Sequence, residues 1–312
     1  MSPIIEVEAL TKRYKNSESN AVDGISFTAN TGEFFTLLGP NGAGKTTTIS
    51  ILTTTLTPTS GTARIGGFDL VQEASLVRRQ VGIIFQKPSL DLNLTAEENV
   101  RFHAVMYGLY PFRPTFSLMP RRYKHQIEEL SQMLGLSDEI FKPIKTFSGG
   151  MKRKLEIIRS LIHQPKVLFL DEPTVGLDPA SRRNLWEYIK RVRRESGTTV
   201  FLTTHYLDEA EEADTVCIIS KGQIVAFGTP EQVKARLIER YLLIDAADRE
   251  ALRQELGRLA IPYEEAGLIK INLNGSGSAH RVLKAIDTPL TTVQTHNPSL
   301  EDAYLAIVEE TQ

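Results

Sequence analysis

Nine residues constrain this chain more than any others: Gly39-Pro40-Asn41-Gly42-Ala43-Gly44-Lys45-Thr46-Thr47. They follow the apolar run Phe34-Phe35-Thr36-Leu37-Leu38 and precede Thr48-Ile49-Ser50-Ile51-Leu52. Strand, glycine loop, helix is the context in which G-x-x-x-x-G-K-[ST] reads as a phosphate-binding loop. Gly39, Gly42 and Gly44 carry no Cβ and permit positive φ, so backbone N–H groups can turn inward around an anion. The helix that opens near Gly44 adds unpaired N–H donors and the positive end of a dipole. Lys45 supplies a mobile charge for the outer phosphates, and the Thr46 hydroxyl suits Mg²⁺.

Composition sets the outer limits. The 312 residues are 41% apolar and 24% charged, which fits about two globular domains. A net charge of −2 gives no bulk field for nucleic acid or an anionic membrane. Cys217 is the only cysteine, so no internal disulfide forms; its apolar surroundings, Val216 and Ile218-Ile219, read as a buried structural thiol. No apolar run approaches the roughly 20 residues of a membrane span. Met1 to Glu8 alternates and carries acids, unlike a signal or transit peptide. The expectation is a cytosolic protein whose membrane role, if any, needs a partner.

Along the chain, residues 4–10 and the stretch from Val22 to Phe27 read as strands, and Thr62 to Ile65 as half of a hairpin around Gly66-Gly67. Leu70 to Gln80 reads as a helix and Val81 to Phe85 as a buried strand. From about 87 to 161 the character is helical. Ala96 to Tyr107 has helical spacing behind a Thr95/Glu98 capping box, Arg121 to Gly135 and Gly149 to His163 are helices, and the proline-rich Tyr110 to Pro120 is a loop. Val167-Leu168-Phe169-Leu170 and Thr199 to Thr203 are continuous apolar runs, as expected of parallel strands covered on both faces. Arg182 to Glu195 and Leu207 to Ala213 are helices. Thr215 to Ile219 and Ile224 to Phe227 flank the turn Lys221-Gly222. The pattern is α/β, a phosphate-loop core with a helical insert. Gly228-Thr229-Pro230 marks a boundary, giving domains 1–230 and 231–312. The second reads as a small α+β domain with helices at Glu231 to Glu239, Arg249 to Leu259, Arg281 to Ile286 and Leu300 to Val308, and strands at Tyr241 to Asp245, Ile269 to Leu273 and Thr291 to Gln294.

Two more elements carry chemistry. Asp171-Glu172 ends a buried strand, the edge at which parallel sheets hold ligands. Asp171 can hold Mg²⁺ through water, and Glu172 can orient or deprotonate an attacking water. Phe147-Ser148-Gly149-Gly150-Met151 opens a helix. There Ser148 either caps the helix or, with the N–H groups of Gly149 and Gly150, grips a phosphate.

The run from Phe147 through Lys152-Arg153-Lys154-Leu155-Glu156, then Val167 through Asp171-Glu172-Pro173-Thr174-Val175-Gly176-Leu177-Asp178-Pro179, resembles the ATP-binding cassette ATPases. It is most similar to the export-type subunits of the daunorubicin-resistance kind. The resemblance covers residues 4 to about 230, and Asn297-Pro298-Ser299-Leu300-Glu301-Asp302 also looks like that subgroup. It implies an antiparallel β subdomain beside the core. It further implies that Tyr14 stacks on adenine, and that Gln86 reaches Mg²⁺ and the attacking water while linking the site to the helical insert. By the same resemblance Asp178 organises the facing subunit, and His205 holds the γ-phosphate and positions Glu172. Met151 stands where the wider family has glutamine, which reads as a subgroup mark. The implied assembly is two subunits sandwiching two ATP molecules, each between one phosphate loop and the other subunit's Ser148-Gly149-Gly150. Mg²⁺ is the implied metal. The implied partners are a second copy or a homologous ATPase subunit and a separate multispanning permease on the inner face of the membrane, with no nucleic acid.

The leading expectation is therefore the energy subunit of an exporter. A non-transport cassette ATPase acting on ribosome or DNA is the alternative, although tandem cassettes, coiled-coil inserts and zinc motifs are missing from the sequence. A purely ATP-binding regulator conflicts with the presence of Glu172 and His205. From Val100 to Ile127 there is no acidic residue, while Arg101, Arg113, Arg121, Arg122 and Lys124 are present. That stretch reads either as a solvated basic face or as a contact near the membrane surface or a permease loop.

Overall fold

A computed structural model describes residues 2–15, 17–84, 89–175, 177, 179–237, 241–273, 279–296, 299–302 and 304–305. The chain divides into two compact units, Met1–Phe227 and Gly228–Gln312.

In the first unit the apolar runs become the strands of one sheet. These are β3 (Phe34–Leu38), β6 (Val81–Ile84), β7 (Val167–Asp171), β8 (Thr199–Thr204), β9 (Thr215–Ser220) and β10 (Gln223–Gly228), in the order β10-β9-β3-β8-β7-β6. Strands β9, β3, β8, β7 and β6 run parallel. All of β3, β7 and β8 is buried, which accounts for their unbroken hydrophobicity. A second, antiparallel sheet has the order β2-β1-β4-β5, built from β1 (Pro3–Lys12), β2 (Val22–Asn30), β4 (Ser60–Ile65) and β5 (Phe68–Asp69). Phe27 of β2 stacks on Phe35 of β3, and Phe35 on Phe201 of β8, with ring centroids 5.1 and 4.9 Å apart. This aromatic ladder joins the two sheets into one core.

The helices of this unit are α1 (Lys45–Leu52), α2 (Ala74–Gln80), α3 (Ala96–Met106), α4 (Arg121–Leu134), α5 (Gly149–Leu161), α6 (Pro179–Ser196) and α7 (Leu207–Glu211). Helix α2 starts four residues later than periodicity suggests. The Asp69 carboxylate accepts from the N–H groups of Val71 and Gln72 at 2.9 Å, a local turn that competes with helix. Helix α3 carries the expected capping box, in which Thr95 Oγ1 accepts from Glu98 N and Glu98 Oε2 accepts from Thr95 N.

The insert α3–α5 lies in sequence between β6 and β7, and its centre is a buried polar group. Glu97, Arg101 and Tyr123 are each no more than 2% exposed. Tyr123 Oη donates to Glu97 Oε1 at 3.0 Å, and Arg101 Nε lies 3.1 Å from the same oxygen. Arg101 also donates to the Arg113 carbonyl at 2.6 Å, pinning the loop after α3. Arg101 is therefore not part of an exposed basic face. Lys124 is half-buried and donates to the Ser117 carbonyl, which leaves Arg113, Arg121 and Arg122 exposed. The loop contains a short 3₁₀ turn, Phe116–Leu118.

The second unit contains α8 (Pro230–Leu237), β11 (Tyr241–Ala246), α9 (Arg249–Arg258), β12 (Glu264–Ala266), β13 (Leu268–Asn272), α10 (Ala279–Ala285) and β14 (Leu290–His296). Its antiparallel sheet has the order β12-β13-β11-β14. From β11 onward the sequence β-α-β-β-α-β in that order is the split βαβ, or ferredoxin-like, topology. Strand β12 escapes sequence reading because its residues, Glu-Glu-Ala, carry no apolar alternation. Gly275 to Ser278, Asn297-Pro298 and, of the expected C-terminal helix, residues 303 and 306–308 lie outside the described residues.

Burial raises the carboxyl pKa of Glu97, and the Arg101 charge opposes that rise. Removing the arginine leaves an uncompensated buried carboxylate. Arg101→Ala is expected to destabilise the first unit by about 3 kcal/mol, read as a lower urea midpoint. Arg121→Ala, at an exposed position, is expected to stay within about 0.5 kcal/mol.

Candidate functional site

The phosphate loop leaves the end of β3 and returns as α1. Its shape depends on missing side chains. A Cβ on Gly39 would lie 2.3 Å from the Ile219 carbonyl oxygen. At Gly44, φ is +110° and a Cβ would lie 2.4 Å from the Ala21 oxygen, so both steric and conformational terms demand glycine. Within this loop Lys45 is 5% exposed and donates to the carbonyl oxygens of Gly39 and Pro40 at 2.7 and 3.1 Å. Burial lowers its pKa, against the charges of Glu172 and Asp171. Asn41, Gly42 and Thr46 are exposed, Pro40, Gly44 and Thr47 are half-buried and Ala43 is buried. The Tyr14 hydroxyl lies 3.3 Å from Thr47 Oγ1, which brings this half-exposed aromatic ring to the rim of the loop.

The parallel register delivers the acids to the same edge. Asp171 pairs with Thr203 across β7 and β8, and Thr203 Oγ1 donates to Asp171 Oδ1 at 2.6 Å. Burial raises the Asp171 pKa, countered by the Thr203 hydrogen bond. Glu172 has φ +46°, a left-handed conformation rare for a residue with a Cβ. Its N–H donates to the Thr203 carbonyl at 3.0 Å, holding the turn. Glu172 Oε1 lies 3.8 Å from Lys45 Nζ and 3.1 Å from His205 Nδ1. A carboxylate only accepts, so this contact places the imidazole proton on Nδ1 and leaves Nε2 as the other functional nitrogen. Lys45, Glu172 and His205 thus converge from three separate stretches of sequence.

Ser148 is the N-cap of α5, and its hydroxyl oxygen accepts from Met151 N at 3.2 Å. Ser148 and Gly149 are exposed, and Gly150 and Met151 are half-buried. Gln86 and Asp178 lie outside the described residues.

One contributor lies hidden in the sequence. Glu209 of α7 is 3% exposed and accepts from Thr174 Oγ1 at 2.5 Å and Thr204 Oγ1 at 2.6 Å. Thr174 is two residues after Glu172, and Thr204 immediately precedes His205. The Glu209 carboxylate therefore ties together the two segments that bear the Glu172–His205 contact. Burial raises its pKa, opposed by the two hydroxyl donors. In the sequence it is one of four acids between 208 and 212. Only the tertiary pairing distinguishes it from a solvated neighbour.

The site suits a polyphosphate and a hard cation. The loop has no room for Cβ atoms at Gly39 and Gly44, Lys45 is a buried cation, and the Thr46 and Asp171 oxygens are the donor type that Mg²⁺ takes. Among the described residues there is no group of three or more His, Cys, Asp or Glu side chains placed to hold a metal ion. No helix among the described residues is long and apolar enough to cross a membrane.

The family model described as ABC transporter matches residues 22–175. The chain is 40% identical over 314 residues to the daunorubicin/doxorubicin resistance ATP-binding protein DrrA of Streptomyces peucetius, an alignment that covers 97% of this chain and 92% of that protein. It is 38% identical over 272 residues to the Nod factor export ATP-binding protein I of Ralstonia nicotianae, covering 85% and 80% of the two. A solved dimeric ATP-binding cassette in a post-hydrolysis state, bound to ADP and Pi, is similar with a TM-score of 0.65 and 25% identity, over 72% of this chain and 98% of that one.

Glu209→Ala is expected to lower the ATPase kcat by up to about 100-fold while leaving KM for ATP within about twofold. Glu209→Gln, which keeps the length and one acceptor oxygen, is expected to recover part of the loss. Equal falls in kcat and ATP affinity would contradict a role in positioning.

Proposed function

The chain belongs to the ABC transporter family, and from that membership we propose how its residues perform ATP hydrolysis for an exporter. It is an ATPase and the energy subunit of such a transporter. The convergence of Lys45, Glu172 and His205 at one sheet edge is the observation that carries the residue assignment. In this reading the loop from Gly39 to Thr47 wraps the phosphates with backbone N–H groups, and Tyr14 supports the adenine. Lys45 exchanges its two carbonyl partners for the outer phosphate oxygens. Glu172 orients the attacking water and accepts its proton. His205 holds the Glu172 carboxylate through Nδ1 and offers Nε2 to the γ-phosphate. Mg²⁺, held by Thr46, Gln86 and, through water, Asp171, would supply neutralising charge at the phosphates.

The proposed assembly is a dimer in which Ser148, Gly149 and Gly150, with Met151 beside them, complete the facing subunit's ATP site, and Asp178 lies at that interface. The α3–α5 insert, joined to the site through Gln86, transmits closure to a separate membrane permease at the inner face of the membrane. Drugs, lipids or other hydrophobic compounds are the proposed cargo. The names of the two relatives, one a resistance protein and one an export protein, support that class. The unit from 231 to 312 is proposed as an accessory or regulatory module.

Glu172→Gln retains shape and hydrogen bonding while removing the base. With saturating ATP and Mg²⁺ it is expected to run as a stable dimer by light scattering, with hydrolysis reduced by at least about 100-fold. A well-folded variant that binds ATP yet remains monomeric would count against the sandwich.

A further inference from the structure

His205 serves hydrolysis only while its ring keeps Nδ1 toward Glu172 Oε1, 3.1 Å away. That hydrogen bond alone is a loose hold. The His205 side chain is 36% exposed, and the outer torsion of a histidine is broad and soft. Packing against the ring therefore decides how well it stays in place. Tyr206 supplies such packing: the two ring centroids are 4.2 Å apart, with their planes inclined by 37°. The guanidinium of Arg182 lies over the Tyr206 ring in turn. Its carbon is 4.8 Å from the ring centroid, within cation–π reach.

The outer members of this row are anchored. Tyr206 N donates to Thr204 Oγ1 at 2.9 Å, and that hydroxyl donates to the buried Glu209 carboxylate. Arg182 belongs to the first turn of α6. Its charge also reaches Glu209, where it opposes the rise in the carboxyl pKa. Guanidinium, phenol and imidazole thus run from α6 to the catalytic edge. All three are half-buried, where a cation–π contact keeps more of its strength than at an exposed surface.

We propose that Tyr206 and Arg182 are positioning residues for hydrolysis: the Tyr206 ring holds the His205 imidazole with Nδ1 on Glu172, and Arg182 holds the Tyr206 ring. This rests on the reading of His205 as the γ-phosphate residue and adds to it a link to α6. Arg182 is four residues after Asp178, the position assigned to the dimer interface. A shift in the opening turn of α6 when a second subunit arrives moves the guanidinium, the phenol and the imidazole in turn. Assembly would thereby tune the orientation of His205 with no group of the second subunit touching it.

The test is steady-state Mg-ATP hydrolysis by the full chain. Tyr206→Ala is expected to lower kcat by about tenfold or more while KM for ATP stays within about twofold. Tyr206→Phe, which keeps the ring, is expected to restore kcat to within about twofold of the unmodified chain. Arg182→Met keeps length and loses the cation, and is expected to lower kcat about threefold, with Arg182→Lys recovering part of the loss. Added to Tyr206→Ala, Arg182→Met is expected to cost nothing further, because it acts through the ring. Thermal midpoints and ATP affinity matching the unmodified chain establish that each variant is folded. Tyr206→Leu, which fills part of the space without a ring, carries the test if alanine lowers the midpoint. His205→Gln separates the inference from its premise. If hydrolysis survives His205→Gln, both are overturned. If His205→Gln abolishes hydrolysis while the ringless Tyr206 variant stays within about twofold, this inference alone is overturned. Losses from Arg182→Met and Tyr206→Ala that multiply in the double variant would overturn it equally.

Discussion

The parallel register of β3, β8 and β7 is the constraint on which the site depends. Leu38 pairs with Thr204, and Asp171 with Thr203. Three strands thus finish level, and the segments leaving their ends meet one another: the phosphate loop after Leu38, Glu172 after Asp171, His205 after Thr204. A one-residue slip of β7 against β8 would turn Asp171 to the opposite face and separate Glu172 from His205. Phe169 of β7 packs on Phe201 of β8 with ring centroids 5.2 Å apart, a contact that resists such a slip.

Glu172 adds a local strain to that scaffold. Its left-handed backbone is a conformation that costs a residue with a Cβ about 1 kcal/mol or more. The surroundings over-determine it. Its N–H is held by the Thr203 carbonyl, the Pro173 carbonyl receives Arg153 of α5, and Thr174 donates to Glu209 of α7. Three consecutive residues are fastened to three different elements. The Glu172 carboxylate is therefore sensitive to the placement of α5 and α7.

The legibility of each element in the sequence depends on how local its signal is. The phosphate loop, the Thr95 capping box and the buried strands are written in adjacent residues, so spacing alone finds them. Asp171-Glu172 and His205 are accessible because strand ends are visible as the limits of apolar runs. Strand order is not legible: β9 reads as one arm of a hairpin with β10, yet it also pairs in parallel with β3. Glu209 and Arg101 escape for one reason. A charged residue in a polar stretch looks solvated until the partner that buries it, far away in sequence, is known. Glu209 is 35 residues from Thr174; Arg101 holds the Arg113 carbonyl 12 residues on and pairs with Glu97, which is itself held by Tyr123, 26 residues away from that acid.

The two readings of Ser148, helix cap and phosphate ligand, turn out not to compete. As a cap its hydroxyl oxygen accepts one hydrogen bond, from Met151 N. The same hydroxyl keeps its proton, so it can still donate to an anion. The cap satisfies one of the first-turn N–H groups, and those of Gly149 and Gly150 have no acceptor within the helix. Capping therefore fixes the orientation of Ser148 and leaves the donors that a phosphate would need. In this chain Ser148 and Gly149 face solvent. In the proposed dimer, a second subunit carrying ATP on its own Gly39 to Thr47 loop would bring an anion to them.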